Sequence, residues 1–409
     1  MKKLLYHILH WLRATREKRQ TQQRPIVTRE GRCSDVEMLR LLRTHLFDNH
    51  NFRFNVLTEQ TEWENPKTKQ WMTVDKRQLN SFTLEAKELG INCWDRDVSR
   101  LLLSRKVPDH HPMLDYMSHL PKWDGRDRIT PLACRISHSE LWINGFHRWM
   151  LGMTSQWMGQ ERQCANAIAP VIISARQGLH KSTFCRMLVP HSLQAYYIDR
   201  FDITAQSHFE QRLATSALIN MDEFDRYSPS AMASLKNIMQ MQSSNFRKMR
   251  SERYLSLHRT ASFIATSNQR ELLSDTTGSR RFLCQEVQQP INCTPLEHKQ
   301  LFAQLKHELL RGERSWLNKD EERQWAEHNK IYYRTQPELE AFWQCFRFPE
   351  PGEKFERLSA VEIHSVLLHR YPTIMRAIPP RQLSRSLLSA GVRKVHISKG
   401  NVFCVVRTE

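Results

Sequence analysis

A lysine followed by two hydroxyl residues, Lys181, Ser182 and Thr183, stands near the end of the segment ISARQGLHKSTF at residues 173–184. In the pattern G-x-x-x-x-G-K-[ST], the loop's backbone N–H groups and the helix that follows cradle phosphate oxygens. The lysine reaches the β and γ phosphates of ATP, and the hydroxyl ligates Mg2+. Lys181 and Ser182 stand where that pattern places them, and Gly178 allows close backbone approach. Ala175 and His180, however, hold the two glycine positions. Glycine takes a positive φ freely, whereas another residue gives up about 1–2 kcal/mol there. His180 either weakens the cradle or adds a donor to it, so the loop alone is thin evidence for a nucleotide.

Further on, ALINMDEF (217–224) is an apolar run that ends in two acids. Asp222 is suited to hold magnesium, directly or through water, and Glu223 to polarise an attacking water, which in-line phosphoryl transfer needs. The plainer reading is a solvated strand end. ASFIATSN (261–268) delivers an amide, Asn268, that can bridge a γ-phosphate and the water. TTGSRRF then sets Arg280 beside Arg281. Either can reach the nucleotide of an adjacent subunit, or both are surface charge. Between acids and amide lies SSNFRKMRSERYLSLHR, where Arg247, Lys248, Arg250, Arg253 and Arg259 interleave with Phe246 and Tyr254. Cations that follow phosphates, mixed with rings that stack on bases, hold single strands without sequence choice. An ordinary exposed hairpin is the alternative.

The elements that must position these groups alternate. AIAPVIIS, QAYYIDRF, ALINMDEF, ASFIATSN and RFLCQEV read as strands, with helical periods between them. Such alternation requires crossover connections, hence an α/β fold with a mainly parallel sheet covered on both faces and ligands at the carboxyl ends of its strands. Preceding it, SELWINGFHRWMLGMTSQWMG is rich in Trp, Met and Phe at helical spacing, a packing helix rather than a cofactor box. Residues 1–34 read as a basic flexible arm and 35–130 as a small mixed α/β domain. The nucleotide-type core is expected at 131–290 and a helical connector at 291–345. In 346–409, Ser359 and Glu362 have capping-box spacing, a helix follows Pro380, and two alternating runs flank Lys-Gly-Asn. Helix, helix and hairpin suggest a winged helix, with Arg381, Arg385, Lys394 and Lys399 facing a DNA backbone or, alternatively, a protein.

Composition points the same way. In 409 residues, 61 Lys+Arg against 43 Asp+Glu give a net charge of +18, and the commonest partner of such a basic protein is nucleic acid. No run approaches the ~20 apolar residues of a membrane span, and the start lacks a signal cleavage site. The expected location is the cytoplasm. Nine scattered cysteines show no ligand spacing; they read as reduced, mostly buried thiols.

The order of motifs from HLPKWDGRDRI through the 173–184 loop, MDEF, FIATSN and DTTGSRRF resembles the virulence-associated protein E family. Its ATPase core is similar to superfamily 3 helicases of the AAA+ class. FIATSNQRELLSDTTGSRRF is the most specific piece, and the likeness spans roughly residues 105–290. The tail from about 290 looks like the extension of Bacteroides-type members carried by mobile elements and prophages. The resemblance implies an ATP- and Mg2+-dependent DNA-unwinding motor that acts in replication on single-stranded or forked DNA. It implies a homo-oligomeric ring of hexameric type. The family often carries a primase domain upstream, for which residues 1–34 leave no room, so a separate primase is an expected partner. Lys181, Ser182, Asp222, Glu223, Asn268 and one of Arg280 or Arg281 take the matching roles. The chain departs from the family at Ala175 and His180. A rival reading is a DNA-binding scaffold or nucleotide-gated switch that binds ATP and scarcely hydrolyses it.

Overall fold

In a computed structural model of the chain, the residues described are 35–159, 165–199, 201, 203, 206–247, 254–273, 279–333, 336–350, 352–398 and 400–408. The basic arm lies outside them, as do Lys248, Arg250, Arg253 and Lys399. The chain divides into two compact units, one ending at Asp115 and the other starting at Tyr116. Among the described residues no helix is long and apolar enough to cross a membrane.

The first unit contains a four-stranded sheet of β1 (Phe52–Asn55), β2 (Gln60–Glu64), β3 (Trp71–Thr73) and β4 (Asp109–His110), in the order β3-β2-β1-β4. The alternating NFRFNVLTEQTEW run becomes the β1–β2 hairpin, with Phe52 opposite Trp63. Asn55 Oδ1 accepts from the N–H groups of Leu57 and Thr58 and so shapes its turn. Helices Asp35–Asn49, Lys76–Glu88 and Asp95–Leu102 supply Leu42, Leu46, Phe82, Ala86, Val98 and Leu102 to its core.

The second unit is built on β5 (Ala169–Ile173), β6 (Tyr197–Ile198), β7 (Leu218–Met221), β10 (Ser262–Ser267) and β11 (Phe282–Glu286), in the order β11-β5-β10-β7-β6. Every neighbouring pair is parallel. All residues of β5, β7 and β10 are buried, as continuous apolar runs require when both faces are covered. On one face Val171, Ile219, Met221 and Phe263 pack with Leu213, Leu235 and Ile238 from helices Gln206–Thr215 and Pro229–Ile238. Helix Glu140–Trp157 anchors its tryptophans on main-chain carbonyls. Trp142 donates to Ala133, Trp149 to Phe263 in β10 and Trp157 to Ala217 just before β7, at 3.0, 2.9 and 3.1 Å. Each large ring is therefore both buried and hydrogen-bonded, which makes the helix a scaffold for the sheet. Residues 116–130 belong to this unit: Arg128 bridges Asp124 and Glu297, and its N–H donates to Gln304.

Between β7 and β10 the chain forms an antiparallel hairpin, β8 (Ser243–Arg247) and β9 (Tyr254–His258). Arg259, read from the sequence as one of the hairpin's strand-following cations, does not face outward; it is fully buried. Its guanidinium donates to the carbonyls of Met239 and Ala261 at 2.7 Å and of Asn166 at 3.2 Å, and it lies over the Phe263 ring. Burial pushes its pKa down to about 9, so it remains protonated at neutral pH. Its position after the hairpin suggested exposure. The carbonyls left open at the end of helix Pro229–Ile238 drew it inward instead.

The C-terminal part joins β12 (Phe346–Arg347), β13 (Glu356–Leu358), β14 (Lys394–Ile397) and β15 (Gly400–Arg407) around β15. Ser359 and Glu362 form the expected capping box on helix Ala360–Arg370. That helix and helix Pro380–Ser389 bury Ile363, Leu367, Leu383 and Leu387 against Phe403 and Val405.

Arg259→Met keeps much of the buried volume but leaves several carbonyls without donors. It is expected to lower unfolding free energy by roughly 3 kcal/mol, read as a fall in urea midpoint at unchanged slope.

Candidate functional site

β5 leads away past β10 and β7 to β6, whereas β10 leads the other way, past β5, to β11. Connections that diverge from two adjacent strands open a crevice at their carboxyl ends. Residues 174–183 leave β5 at this point, and Asn268 leaves β10.

Lys181 is the first residue of the helix Lys181–Met187 and is only 8% exposed. Its Nζ donates to Asn268 Oδ1 at 2.9 Å and to the Ser174 carbonyl at 3.3 Å. Burial lowers its pKa, and the charges of Asp222 and Asp225 oppose that shift. Ser182 Oγ donates to Asp222 Oδ1 at 3.5 Å, and the Thr266 hydroxyl donates to the same oxygen. The lysine, the hydroxyl, the first acid and the amide, far apart in sequence, thus meet at one rim of the sheet.

The loop above them has its own geometry. Ala175, Arg176, Gln177 and Gly178 are exposed. Among the described residues, the backbone N–H groups from Gln177 to Thr183 donate to no carbonyl or side chain. A run of unclaimed donors entering a helix is a surface that an anion satisfies. Gly178 has φ +78°, with nothing within 4 Å of where a Cβ would be. His180 has φ 62° and ψ 25°, the left-handed conformation that the glycine of the pattern would take without cost. Glu223 shares that conformation at φ 54° and ψ 46°. Among the described residues of the second unit, these two are the only non-glycine residues with positive φ, and they flank the same crevice. Strain of this kind concentrates where geometry is dictated by function. Glu223 is half-exposed, and its carboxylate pairs with Arg226 at 2.8 Å.

Three contributors were not singled out from sequence. Asp225 accepts from the Ser267 hydroxyl at 2.8 Å and from the Asn268 N–H at 3.4 Å, which fixes the turn that carries Asn268. Thr266 orients Asp222, and the Ser174 carbonyl receives Lys181. A signal for Thr266 existed. Ala265 is in register with Met221, so Thr266 and Asp222 follow on adjacent strands. Asp225 lies beyond β7 in the turn Phe224–Arg226, where strand alternation no longer tells which way a side chain points.

The remaining candidates lie elsewhere. Arg280 and Arg281 occupy the turn Ser279–Arg281 that enters β11, at the amino-terminal rim of the parallel sheet. They are separated from the crevice by the length of a strand, about 15 Å. Arg280 pairs with Glu322 at 3.4 Å, and Arg281 is half-buried. Arg247 and Tyr254 stand in register across the β8–β9 hairpin. Arg381 and Arg385 are exposed one helical turn apart, and Lys394 is exposed at the start of β14.

The virulence-associated protein E-like domain model matches residues 117–334, more than half of the chain. A second model, a domain of unknown function described from a B. theta gene, matches residues 336–405. No curated protein matches. Solved structures of the NrS-1 C-terminal region are similar at low identity. Its apo structure aligns at 11% identity and TM-score 0.45, covering 92% of this chain and all of that one. An A-form apo structure aligns at 12% and 0.43, covering 91% of this chain and 100% of that one. A further A-form apo structure aligns at 12% and 0.40, covering 73% and 68%.

The backbone of His180 yields a direct expectation. His180→Gly relieves left-handed strain and is expected to raise stability by about 0.5–1 kcal/mol, net of the extra freedom of the unfolded chain. Ala175→Gly, where φ is not positive, is expected to lower it by a similar amount. Urea titration of both variants reads the contrast. A loss at His180 would mean that the imidazole itself holds the turn.

Proposed function

The chain belongs to the virulence-associated protein E-like family, in its Bacteroides-type form, and on that footing we propose that it is an ATP-dependent motor acting on DNA. The observation that carries this reading is Lys181, a buried ammonium held by an amide and a carbonyl at the crevice, beneath a loop of unclaimed N–H donors. A triphosphate is the ligand that suits such a site. Residues 174–183 act as the phosphate loop, with the unclaimed amides and Lys181 on the phosphates. Ser182 Oγ and Asp222 Oδ1 are adjacent hard oxygen donors, and they suit magnesium, which supplies charge neutralisation across the phosphates. Glu223, swung off Arg226, takes the proton of an attacking water. Asn268, held by Asp225, orients that water against the γ-phosphate.

The sheet order and motif order support an AAA+ core of the superfamily 3 helicase type. The location of Arg280 and Arg281 at the opposite rim suits a finger offered to a neighbouring subunit in a ring, a hexamer in this reading. The β8–β9 hairpin with Arg247, Lys248, Arg250, Arg253 and Tyr254 contacts single-stranded or forked DNA. The C-terminal helices and β14–β15 form a winged helix, with Arg381, Arg385, Lys394 and Lys399 on a duplex backbone. The setting is replication of a mobile element or prophage in the cytoplasm. A second reading, a nucleotide-gated DNA scaffold that turns over slowly, is favoured by His180 in the loop and by the Glu223–Arg226 pair.

ATP hydrolysis is expected to rise on addition of single-stranded DNA. Lys181→Ala and Glu223→Gln are each expected to cut turnover about 100-fold or more, the second with nucleotide binding intact. Unchanged hydrolysis in either variant refutes the motor. Strong binding with negligible hydrolysis in the unmodified chain selects the switch.

A further inference from the structure

The first unit carries a cluster that the motor reading does not use. His45 in the last turn of helix Asp35–Asn49, His50 just beyond it and Glu85 in helix Lys76–Glu88 each offer a ligand atom, and these atoms lie within 4.8 Å of one another. His50 Nε2 and a Glu85 oxygen are 3.1 Å apart, already close to the separation of about 3.3 Å between neighbouring ligands of a tetrahedral zinc with bonds of 2.0–2.1 Å. The His45 and His50 rings meet edge to face at 6.3 Å. His45 Nε2 is buried and has no hydrogen-bond partner among the described residues, and a buried polar nitrogen left unpaired needs an explanation.

We propose that His45, His50 and Glu85 bind one divalent transition-metal cation of zinc type, which clips the end of helix Asp35–Asn49 to helix Lys76–Glu88. Two imidazoles and a carboxylate suit zinc, with water in the fourth position. The His50 ring is wedged 4.7 Å from Phe82 and 6.0 Å from Phe52, so its orientation is set before any metal arrives. His45 is oriented by Asn49, whose Nδ2 lies 3.1 Å from His45 Nδ1 and donates to the His45 carbonyl at 2.8 Å. Capture of a cation on Nε2 puts the ring proton on Nδ1. The Asn49 amide then turns over, and its oxygen accepts from Nδ1–H. A carboxylate at position 49 would do this better, as outer-shell acceptors do for metal-bound histidines. The competing explanation is a plain His50–Glu85 ion pair that leaves His45 idle. The sequence does not signal the site, because its third ligand comes from another helix.

The full chain, stripped of metal and kept reduced, is titrated with Zn2+ in competition with a chromophoric chelator, and with Co2+ read by its visible ligand-field bands. The unmodified chain is expected to bind one equivalent more than His45→Ala or Glu85→Gln, with tetrahedral Co2+ bands that both variants lose. Asn49→Asp is expected to tighten that equivalent by 10-fold or more. Thiols elsewhere contribute equally to every chain and cancel in the difference. Glu85→Gln preserves shape and serves if His45→Ala fails to fold. Saturating Zn2+ is also expected to raise the melting temperature of the unmodified chain by several degrees and that of Glu85→Gln by less. Equal stoichiometry and equal Co2+ spectra in the unmodified chain and Glu85→Gln overturn the proposal.

Discussion

A lysine ammonium almost removed from water is expensive unless an opposite charge meets it. Lys181 is in that position: among the described residues it makes no ion pair, and its donors end on the Asn268 amide and the Ser174 carbonyl. Much of the second unit serves to hold it there. β5 delivers the loop and β10 delivers the amide, and β10 lies between β5 and β7, which delivers the acids. Asp222 and Asp225 stand near enough to oppose the effect of burial on Lys181. Each also has a hydroxyl donor of its own, Thr266 and Ser267 respectively. The result is a positive charge poised for an anion from outside.

The rigidity behind that arrangement comes from the helix Glu140–Trp157 and from Arg259. Two indole N–H groups tie the helix to carbonyls at the sheet, those of Phe263 and Ala217, and a third ties it to Ala133 in the helix Ile129–Ala133. Arg259 ties the end of helix Pro229–Ile238 to the start of β10. The β8–β9 hairpin is rooted at this same point, since the Arg259 N–H donates to the Gln242 carbonyl. The hairpin is thereby joined to β10, which ends at Ser267, immediately before Asn268. Hairpin, Arg259 and β10 thus form a contiguous physical link toward the crevice.

Much of the second unit could be read from sequence because its strands are short apolar runs that end in polar residues. That pattern belongs to parallel strands buried on both faces. ALINMDEF and ASFIATSN therefore gave away the acids, the amide and the direction in which they point. QAYYIDRF was less legible. Its first three residues close the turn His191–Tyr196, and only Tyr197 and Ile198 pair in the sheet. Arg259 was misread because a basic run gives no sign of which cation the fold draws inward. Asp225 was hidden because its role depends on a turn that follows the strand. His180 looked like a defect in the loop, yet its backbone adopts the glycine-like conformation that the pattern demands.

The central claim is that three separate segments converge on one triphosphate. Hydrogen–deuterium exchange of the full chain, with and without Mg2+ and a non-hydrolysable ATP analogue, tests it most directly. The expected result is slowed exchange together at residues 175–183, 222–226 and 267–269, with no comparable change at 52–64. Protection absent from all three segments, with the analogue at saturating concentration, would contradict it.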